Sequence, residues 1–379
     1  MPRITVVAGA RPNFMKIAPI LHALAARRSR LEPEIVHTGQ HYDPSLSDVF
    51  FEQLAIPAPD VHLDVGSATH GMQTARVLEA FEDHLLRSDP RPVGIVVVGD
   101  VNSTMAAALA AVKLGIPVAH VEAGLRSFDR GMPEEINRVV TDAVADLLLV
   151  SEPAGEENLR REGIAPERIR YVGNVMIDTV ARQLSTARAL PILEKMGLDR
   201  GKYVLVTLHR PSNVDFKDRL EALVGFLHRV AYNLQVVFPV HPRTVKRLRE
   251  FGLYDRLANG AGMHVVSPLG YHETLGLMEQ TAFVITDSGG IQEETTYLGV
   301  PCLTFRPNTE RPVTVSEGTN TVVGDDLARA EELVGEILAG RYKKGKAVRG
   351  WDGCAAERVV DVLEDVWMEP GGQKGAVQP

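Results

Sequence analysis

Cysteine is scarce in these 379 residues: Cys302 and Cys354 are the only two. Two thiols build neither a disulfide framework nor a metal cluster, and Cys302, after Pro301 in an apolar segment, reads as a small buried residue. No apolar run approaches the roughly 20 residues needed to span a bilayer. The opening ITVVAGA lacks the length and the small-residue cleavage pattern of a signal peptide. The expectation is a cytoplasmic protein without membrane attachment. Blocks of Lys and Arg are also missing, the net charge is -8 and the pI is near 5.9, which argues against a nucleic-acid partner. No strand-like run is followed by GxGxxG, which weakens any dinucleotide-dependent oxidoreductase reading. The histidines that end strand-like runs in the second half, His209 and His241, have no HxxxH, HxH or CxxC spacing around them, so no metal is expected, and no GxSxG nucleophile elbow occurs.

The residues present are those of a globular chain, 45% hydrophobic and 24% charged, with mean hydropathy near zero. The length exceeds one ordinary core and suggests two domains. Short β-rich runs alternate with amphipathic helical patterns, the signature of parallel α/β architecture. The first half offers ITVVAGA, EIVHTG, GIVVVGD, PVAHVEAG, DLLLVS and RIRYVGN as strands. Their near-continuous Val, Ile and Ala content suits sheets covered on both faces. The pattern restarts with YVLVTLHR, LQVVFPVHP, MHVVSPLG, AFVITDSGG, PCLTFRP and TNTVVG, and a last helix is expected from about Ala355 to Trp367. The fold class is therefore α/β, two doubly wound Rossmann-like domains facing across a cleft, with a boundary near Gly173. Such sheets bind ligands beyond the carboxyl ends of their strands.

Polar residues stand just beyond several of these strands. Arg11 and Lys16 of AGARPNFMK fall at a helix start, where cations oppose the macrodipole unless an anion binds; a solvated loop is the plain alternative. Asp100 ends VVVGD and could simply cap the next helix. Glu122 of HVEAGLRS is poorly explained by capping and is placed for acid/base work. In MPEEINRVVTD, Pro133 and the two glutamates suit a first helical turn, while Glu134 and Arg138, four apart, could form a surface ion pair. His209 and His241 each end a buried strand. In TDSGGIQEE, Ser288 is a candidate N-cap and Gly289 and Gly290 let backbone N–H groups approach an anion. Glu294, one turn further in, is either a solvated side chain or a partner for ribose hydroxyls.

The segments GARPNFMKIAP, VVGDVNST, PVAHVEAGLRS, MPEEINRVVTD, GNVMID, TLHRPSN, FPVHP, TDSGGIQEE and NTERPVT occur together from Gly9 to Pro312. In this order they resemble the non-hydrolysing UDP-N-acetylglucosamine 2-epimerases. The resemblance implies a glycosyltransferase-B type fold, a homodimer, a UDP-sugar substrate, and neither cofactor nor metal. With the boundary at Gly173 it makes residues 1–172 one domain, with the C-terminal helix 357–369 packed back on them, and 173–356 the UDP-binding domain. The closing PGGQKGAVQP, 370–379, reads from its composition as a disordered tail. The resemblance places catalysis on Asp100, Glu122, Glu134 and His209. Binding falls to Arg11, Lys16, Arg138, His241, Leu269, Ser288, Gly289, Gly290, Glu294 and Arg311, with Leu269 contacting uracil through its backbone. The implied reaction is epimerisation at carbon 2 by elimination and re-addition of UDP, feeding polysaccharide or glycan synthesis. Ala10 and Asn13 replace the threonine and glutamate commoner in the first motif, and Thr274 stands at a position often aromatic. GQHYDP keeps Gln40 and His41 but has Pro44 where a related activator segment has methionine, so activation by a second substrate molecule is not expected. The alternatives are a glycosyltransferase of the same fold, a binding regulator without chemistry, a hydrolysing epimerase, or an epimerase acting on a modified UDP-GlcNAc derivative.

Overall fold

A computed structural model describes residues 1–39, 51 and 53–368, apart from the side chain of Arg11. Gln40, His41 and Pro44, and the segment 370–379, lie outside the described residues. The chain forms two compact units, Met1–Thr179 together with the segment from Arg349 onward, and Val180–Val348. The division falls inside one helix, Val175–Ala189.

The first unit holds a seven-stranded sheet in the order β3-β2-β1-β4-β5-β6-β7. Its strands are β1 (Arg3–Ala8), β2 (Glu32–His37), β3 (Val61–His62), β4 (Gly94–Val98), β5 (Val118–Ala123), β6 (Leu147–Val150) and β7 (Ile169–Tyr171), and every pairing is parallel. All residues of β4, β5 and β6 are buried, as strands covered on both faces must be. The helix Asn102–Lys113 turns a row of alanines, among them Ala107, Ala108 and Ala111, toward Ile95, Val97 and Phe81. Small side chains there let the helix sit close to the sheet. Strand β3, only two residues long, escaped the sequence reading.

The second unit repeats the plan with six parallel strands in the order β10-β9-β8-β11-β12-β13. These are β8 (Tyr203–Thr207), β9 (Gln235–Pro239), β10 (Met263–Val266), β11 (Phe283–Thr286), β12 (Cys302–Thr304) and β13 (Asn320–Val322). Alternation along the strands feeds two cores. Val204, Val206, Phe283 and Ile285 join Phe226, Leu303 and Phe305 on one face; Tyr203, Leu205 and Val284 join Leu277 and Met278 on the other. Each buried Val, Leu, Ile or Phe contributes about 1.5–3 kcal/mol relative to exposure.

Strand order reverses between β1 and β4 in the first unit and between β8 and β11 in the second. These are the switch points at which open parallel sheets bind ligands. The loops that leave them are residues 9–10 and 99–101, and 208–210 and 287–288.

After Val348 the chain rejoins the first unit. Gly173, at φ +86°, packs against the backbone of Gly350 so closely that a Cβ would overlap it. Arg358 donates to the Val172 carbonyl at 2.6 Å and the Gly350 carbonyl at 2.9 Å, and the Trp351 indole donates to the Ser151 carbonyl at 2.9 Å. The final helix, Ala355–Met368, buries Ala356, Val359, Val360 and Leu363 and lies against the helix Arg11–Ala26. Arg27 pairs with Asp361, Ser29 Oγ donates to Glu364 at 2.6 Å, and the Trp367 ring covers Gly94 of β4.

Candidate active site

In the first unit the switch-point loops are sewn together by a residue noted above only as a departure from a motif. Asn13 Oδ1 accepts from the amides of Gly9 and Ala10, both at 3.0 Å, and its Nδ2 donates to the Val98 carbonyl at 3.0 Å. One turn on, the buried Lys16 forms an ion pair with Glu122. Gly99 lies at φ +67°, and a Cβ there would meet Lys16 Nζ at 2.6 Å. Lys16 is therefore a buried cation in the site, not a surface one.

Glu122 itself has φ +73°, a left-handed conformation that costs a non-glycine residue of order 1–3 kcal/mol and clusters at functional sites. The β5–β6 register shifts between Val121 and Ala123, so Glu122 is the extra residue of a bulge, a device that re-aims a side chain. Its two flanks are gripped by one carboxylate. Asp142 Oδ1 lies 2.7 Å from His120 Nδ1, and Oδ2 accepts from the Gly124 amide at 3.0 Å. The His120 ring also meets the Gly99 carbonyl at 2.8 Å, and Arg126 pairs with Asp142 at 2.7 Å. Burial pushes the Asp142 carboxyl up, yet His120 and Arg126 hold it below its ordinary value.

Asp100 does not cap the following helix, whose N-cap is Val101 without a side-chain bond. It pairs instead with Arg138 at 2.6 Å. Arg138 is 1% exposed, which excludes the surface ion pair with Glu134. Its helical partner is Glu135, at 2.9 Å and three residues back. Glu135 also accepts from the Ser127 and Phe128 amides, both at 2.9 Å. Against a burial penalty, the Ser127 amide, Arg138 and the Phe128 amide keep the Glu135 carboxyl below its usual range. Glu134 is half-buried, and its side chain has no hydrogen bond or ion pair among the described residues. The two adjacent glutamates thus divide: Glu135 is structural and Glu134 is available.

In the second unit, Ser288 occupies the N-cap position of the helix Gly289–Leu298 without making a side-chain cap bond. The first amides of a helix have no partner within it, and a Cβ on Gly290 would meet nothing within 4 Å. Beneath the helix start lies Arg311: a Cβ on Gly289 would meet its Nη1 at 2.7 Å. The guanidinium is held by Glu293 at 2.7 Å and Glu310 at 2.9 Å, and Glu310 also pairs with Arg306 at 2.8 Å. The Arg311 guanidinium thus lies directly under Gly289, its charge shared with Glu293 and Glu310, and Glu310 Oε1 would itself lie 3.1 Å from that Cβ. Glu294 is buried, not solvated, and faces Tyr271; burial first, then this carboxylate, raise the Tyr271 hydroxyl well above its ordinary pKa.

His209 and His241 lie two residues beyond β8 and β9, with ring centroids 5.4 Å apart. His241 has a structural duty, since its Nδ1 caps the helix Pro242–Glu250 by accepting from the Arg243 amide at 3.1 Å. Burial, His209 and Arg243 all lower its pKa. His209 Nδ1 lies 3.0 Å from Asp287. Leu269 is half-buried against the core, and its backbone amide and carbonyl have no hydrogen bond among the described residues. Thr274 directs its hydroxyl to the Gly270 carbonyl at 2.9 Å.

The family model described as UDP-N-acetylglucosamine 2-epimerase matches residues 23–364. The chain belongs to this family. A UDP-N-acetylglucosamine 2-epimerase of Methanocaldococcus jannaschii is 42% identical over 95% of this chain and 98% of its own length. The crystal structure of the M. jannaschii UDP-GlcNAc 2-epimerase in complex with UDP-GlcNAc and UDP has a TM-score of 0.85 at 41% identity, covering 96% of this chain and 99% of the other. A UDP-2,3-diacetamido-2,3-dideoxy-D-glucuronate 2-epimerase of Pseudomonas aeruginosa is 40% identical over 95% of this chain and 99% of its own. The two parallel sheets with their helices are the glycosyltransferase-B-like arrangement of this epimerase family.

The structure thus gathers Lys16, Asp100, Glu122 and Arg138 around one switch point and His209, His241, Ser288, Gly289 and Gly290 around the other. Sequence reasoning passed over Asn13, His120, Glu135, Asp142 and Asp287. A histidine inside an otherwise apolar strand, and an aspartate directly after one, were the available signals for His120 and Asp287. No group of three metal-ligating side chains occurs among the described residues, and no described helix is long and apolar enough to cross a membrane.

Proposed function

We propose that this chain interconverts UDP-N-acetylglucosamine and UDP-N-acetylmannosamine by eliminating UDP and adding it back. The observation that carries this reading is Glu122, a buried carboxylate held in a left-handed bulge at the end of β5 and paired with Lys16. A strained acid beside a buried cation is costly in a merely structural strand and suits a positioned base.

Carbon 2 of the sugar is not adjacent to a carbonyl, so its proton is not acidic enough for direct removal. Departure of UDP takes the electrons of the C1–O bond and builds positive character on the ring, which acidifies that proton. A carboxylate then takes it, leaving 2-acetamidoglucal and UDP. Protonation of carbon 2 from the opposite ring face and re-addition of UDP at carbon 1 complete the inversion. Asp100, Glu122 and Glu134 supply the acid/base groups, and positioned proton transfer contributes typically about 10²–10⁴-fold. Ser288, Gly289 and Gly290, with Arg311 beneath them, seat the diphosphate together with Arg11 and Lys16. Glu294 holds the ribose hydroxyls and the Leu269 backbone the uracil. The enzyme acts in the cytoplasm as a homodimer and supplies an activated sugar for polysaccharide or glycan synthesis.

The test is incubation of UDP-GlcNAc in deuterium oxide without any acceptor. Deuterium at carbon 2 of recovered UDP-sugars is expected, and turnover without exchange would overturn the mechanism. The near-equal identity to the Pseudomonas enzyme favours one second reading, a 2-epimerase for a UDP-GlcNAc derivative with further substituents. The ratio of kcat/KM for UDP-GlcNAc and UDP-2,3-diacetamido-2,3-dideoxy-D-glucuronate separates the two. A glycosyltransferase would show neither activity without an acceptor.

A further inference from the structure

Asp287 lies directly between β11 and the diphosphate seat, is fully buried, and has no role in the reaction as outlined. Its carboxylate accepts from the backbone amide of His209 at 2.9 Å, that of Arg210 at 2.8 Å, and Asn213 Nδ2 at 3.1 Å. Its Oδ1 also lies 3.0 Å from His209 Nδ1. Asn213 is anchored in turn by donating to the Phe305 carbonyl at 2.8 Å, and Arg210 Nε donates to the Asp287 carbonyl at 3.0 Å. The burial penalty on Asp287 is outweighed by His209, the Arg210 amide and Asn213, so the carboxyl sits below its ordinary range. It is an acceptor, and Nδ1 of His209 must donate to it. The His209 side chain, 41% exposed, turns its remaining nitrogen away from the carboxylate.

We propose that Asp287 is a positioning residue that keeps one proton of His209 on Nδ1 and so leaves Nε2 as the nitrogen that gains and loses a proton. With a second proton taken up from solvent, the imidazolium donates from Nε2 to the departing UDP oxygen, and Nε2 is pyridine-like when the ring is neutral. The inference rests on the epimerase reading above and adds to it the residue that orients the histidine. An imidazole free to rotate or to change tautomer would offer the wrong nitrogen for part of the time. One buried carboxylate removes both freedoms, because the amides that hold Asp287 belong to the same loop as the ring it orients. The other charged or titratable groups near the ring are His241, at 5.4 Å between centroids, and the neighbouring Arg210. His241 commits its Nδ1 to the Arg243 amide and does not compete for Asp287.

The experiment is nitrogen NMR of imidazole-labelled full-length protein, with steady-state kinetics of Asp287→Asn, His209→Asn and the double variant. In the wild type, neutral His209 should carry its proton on Nδ1, with Nε2 pyridine-like. D287N should lose this preference and drop kcat about 10²-fold, with UDP affinity changed less than about threefold. Adding D287N to H209N should cost little more. A proton on Nε2 in the wild type overturns the proposal. So does a D287N loss that persists in full on the H209N background, the result expected of a purely structural carboxylate. Should D287N fail to fold, the wild-type spectrum alone decides. The spectrum needs no turnover, so a chain without epimerase activity would sink the reading of function and still leave the tautomer measured.

Discussion

Glu122 and Glu134 carry the same chemistry in different settings, and substitution separates them. Glu122→Gln removes a proposed base and leaves buried Lys16 without its charge partner. Loss of one member of a buried pair costs about 3–5 kcal/mol, so E122Q should lose both turnover and stability. Glu134→Gln has no partner to orphan; it should lose turnover by about 10²-fold or more and keep its unfolding midpoint. UDP affinity, by calorimetry, should survive in both. Near-normal rates in either variant would remove that residue from the mechanism. Gly99→Ala tests the same corner from the backbone. At φ +67°, with a Cβ 2.6 Å from Lys16 Nζ, it should destabilise by about 1–2 kcal/mol and displace the lysine from Glu122, lowering kcat. At this scale the sequence was only partly legible. Spacing pointed to Glu134 as the partner of Arg138, because positions four apart share a face. Glu135 wins because Ser127 and Phe128 anchor its carboxylate. Asp100, far away in sequence, completes the arrangement, and no local pattern could announce it.

Elements were easier to read than contacts. All six strands of the second unit fall within the runs read as strands, most plainly β8 and β11, whose buried positions cannot hide their apolar composition; the outer β10 and β13 are only partly buried. The C-terminal helix, expected from Ala355 to Trp367, runs to Met368. Its stabilising effect on the first unit can be measured selectively, because the only two tryptophans, Trp351 and Trp367, both belong to that unit. Leu363→Ala, at a fully buried position, should cost about 2–5 kcal/mol. The loss should appear in the denaturant midpoint read by tryptophan fluorescence. UDP protection of the second unit, followed by hydrogen exchange, should be unchanged. An unaltered fluorescence midpoint would show that the helix adds little to the first unit.

For the whole molecule, two buried groups drive stability in opposite directions with pH. Burial lowers the His37 pKa to about 4, with His62 adding to the effect. Between pH 6.5 and 4 the unfolded chain takes up a proton that folded His37 refuses, so stability is lost on acidification. Asp178, which accepts from the amides of Ala355 and Ala356, is raised by burial to about 6 in spite of those bonds. Between pH 6 and about 4 the folded chain keeps a proton there that the unfolded chain releases, so stability is gained on acidification. Each is worth about 3 kcal/mol, and in the wild type they largely cancel. Relative to wild type, His37→Asn should therefore become more stable as pH falls from 7 to 4, and Asp178→Asn less stable. Urea unfolding at three pH values checks both signs. Parallel curves for wild type and variants would mean that neither group titrates differently on folding.

The 169 residues between Thr179 and Arg349 are an uninterrupted insertion within the first unit. A ribosome adding roughly 5–20 residues per second needs roughly 10–30 s to cross them. By residue 348 the second unit is complete and can settle. Through that interval the helix Arg11–Ala26 has no Ala355–Met368 to cover it, and Gly94 has no Trp367. The domain begun first is thus the one finished last, and until then an apolar face of the newborn chain stays open to chaperones and proteases.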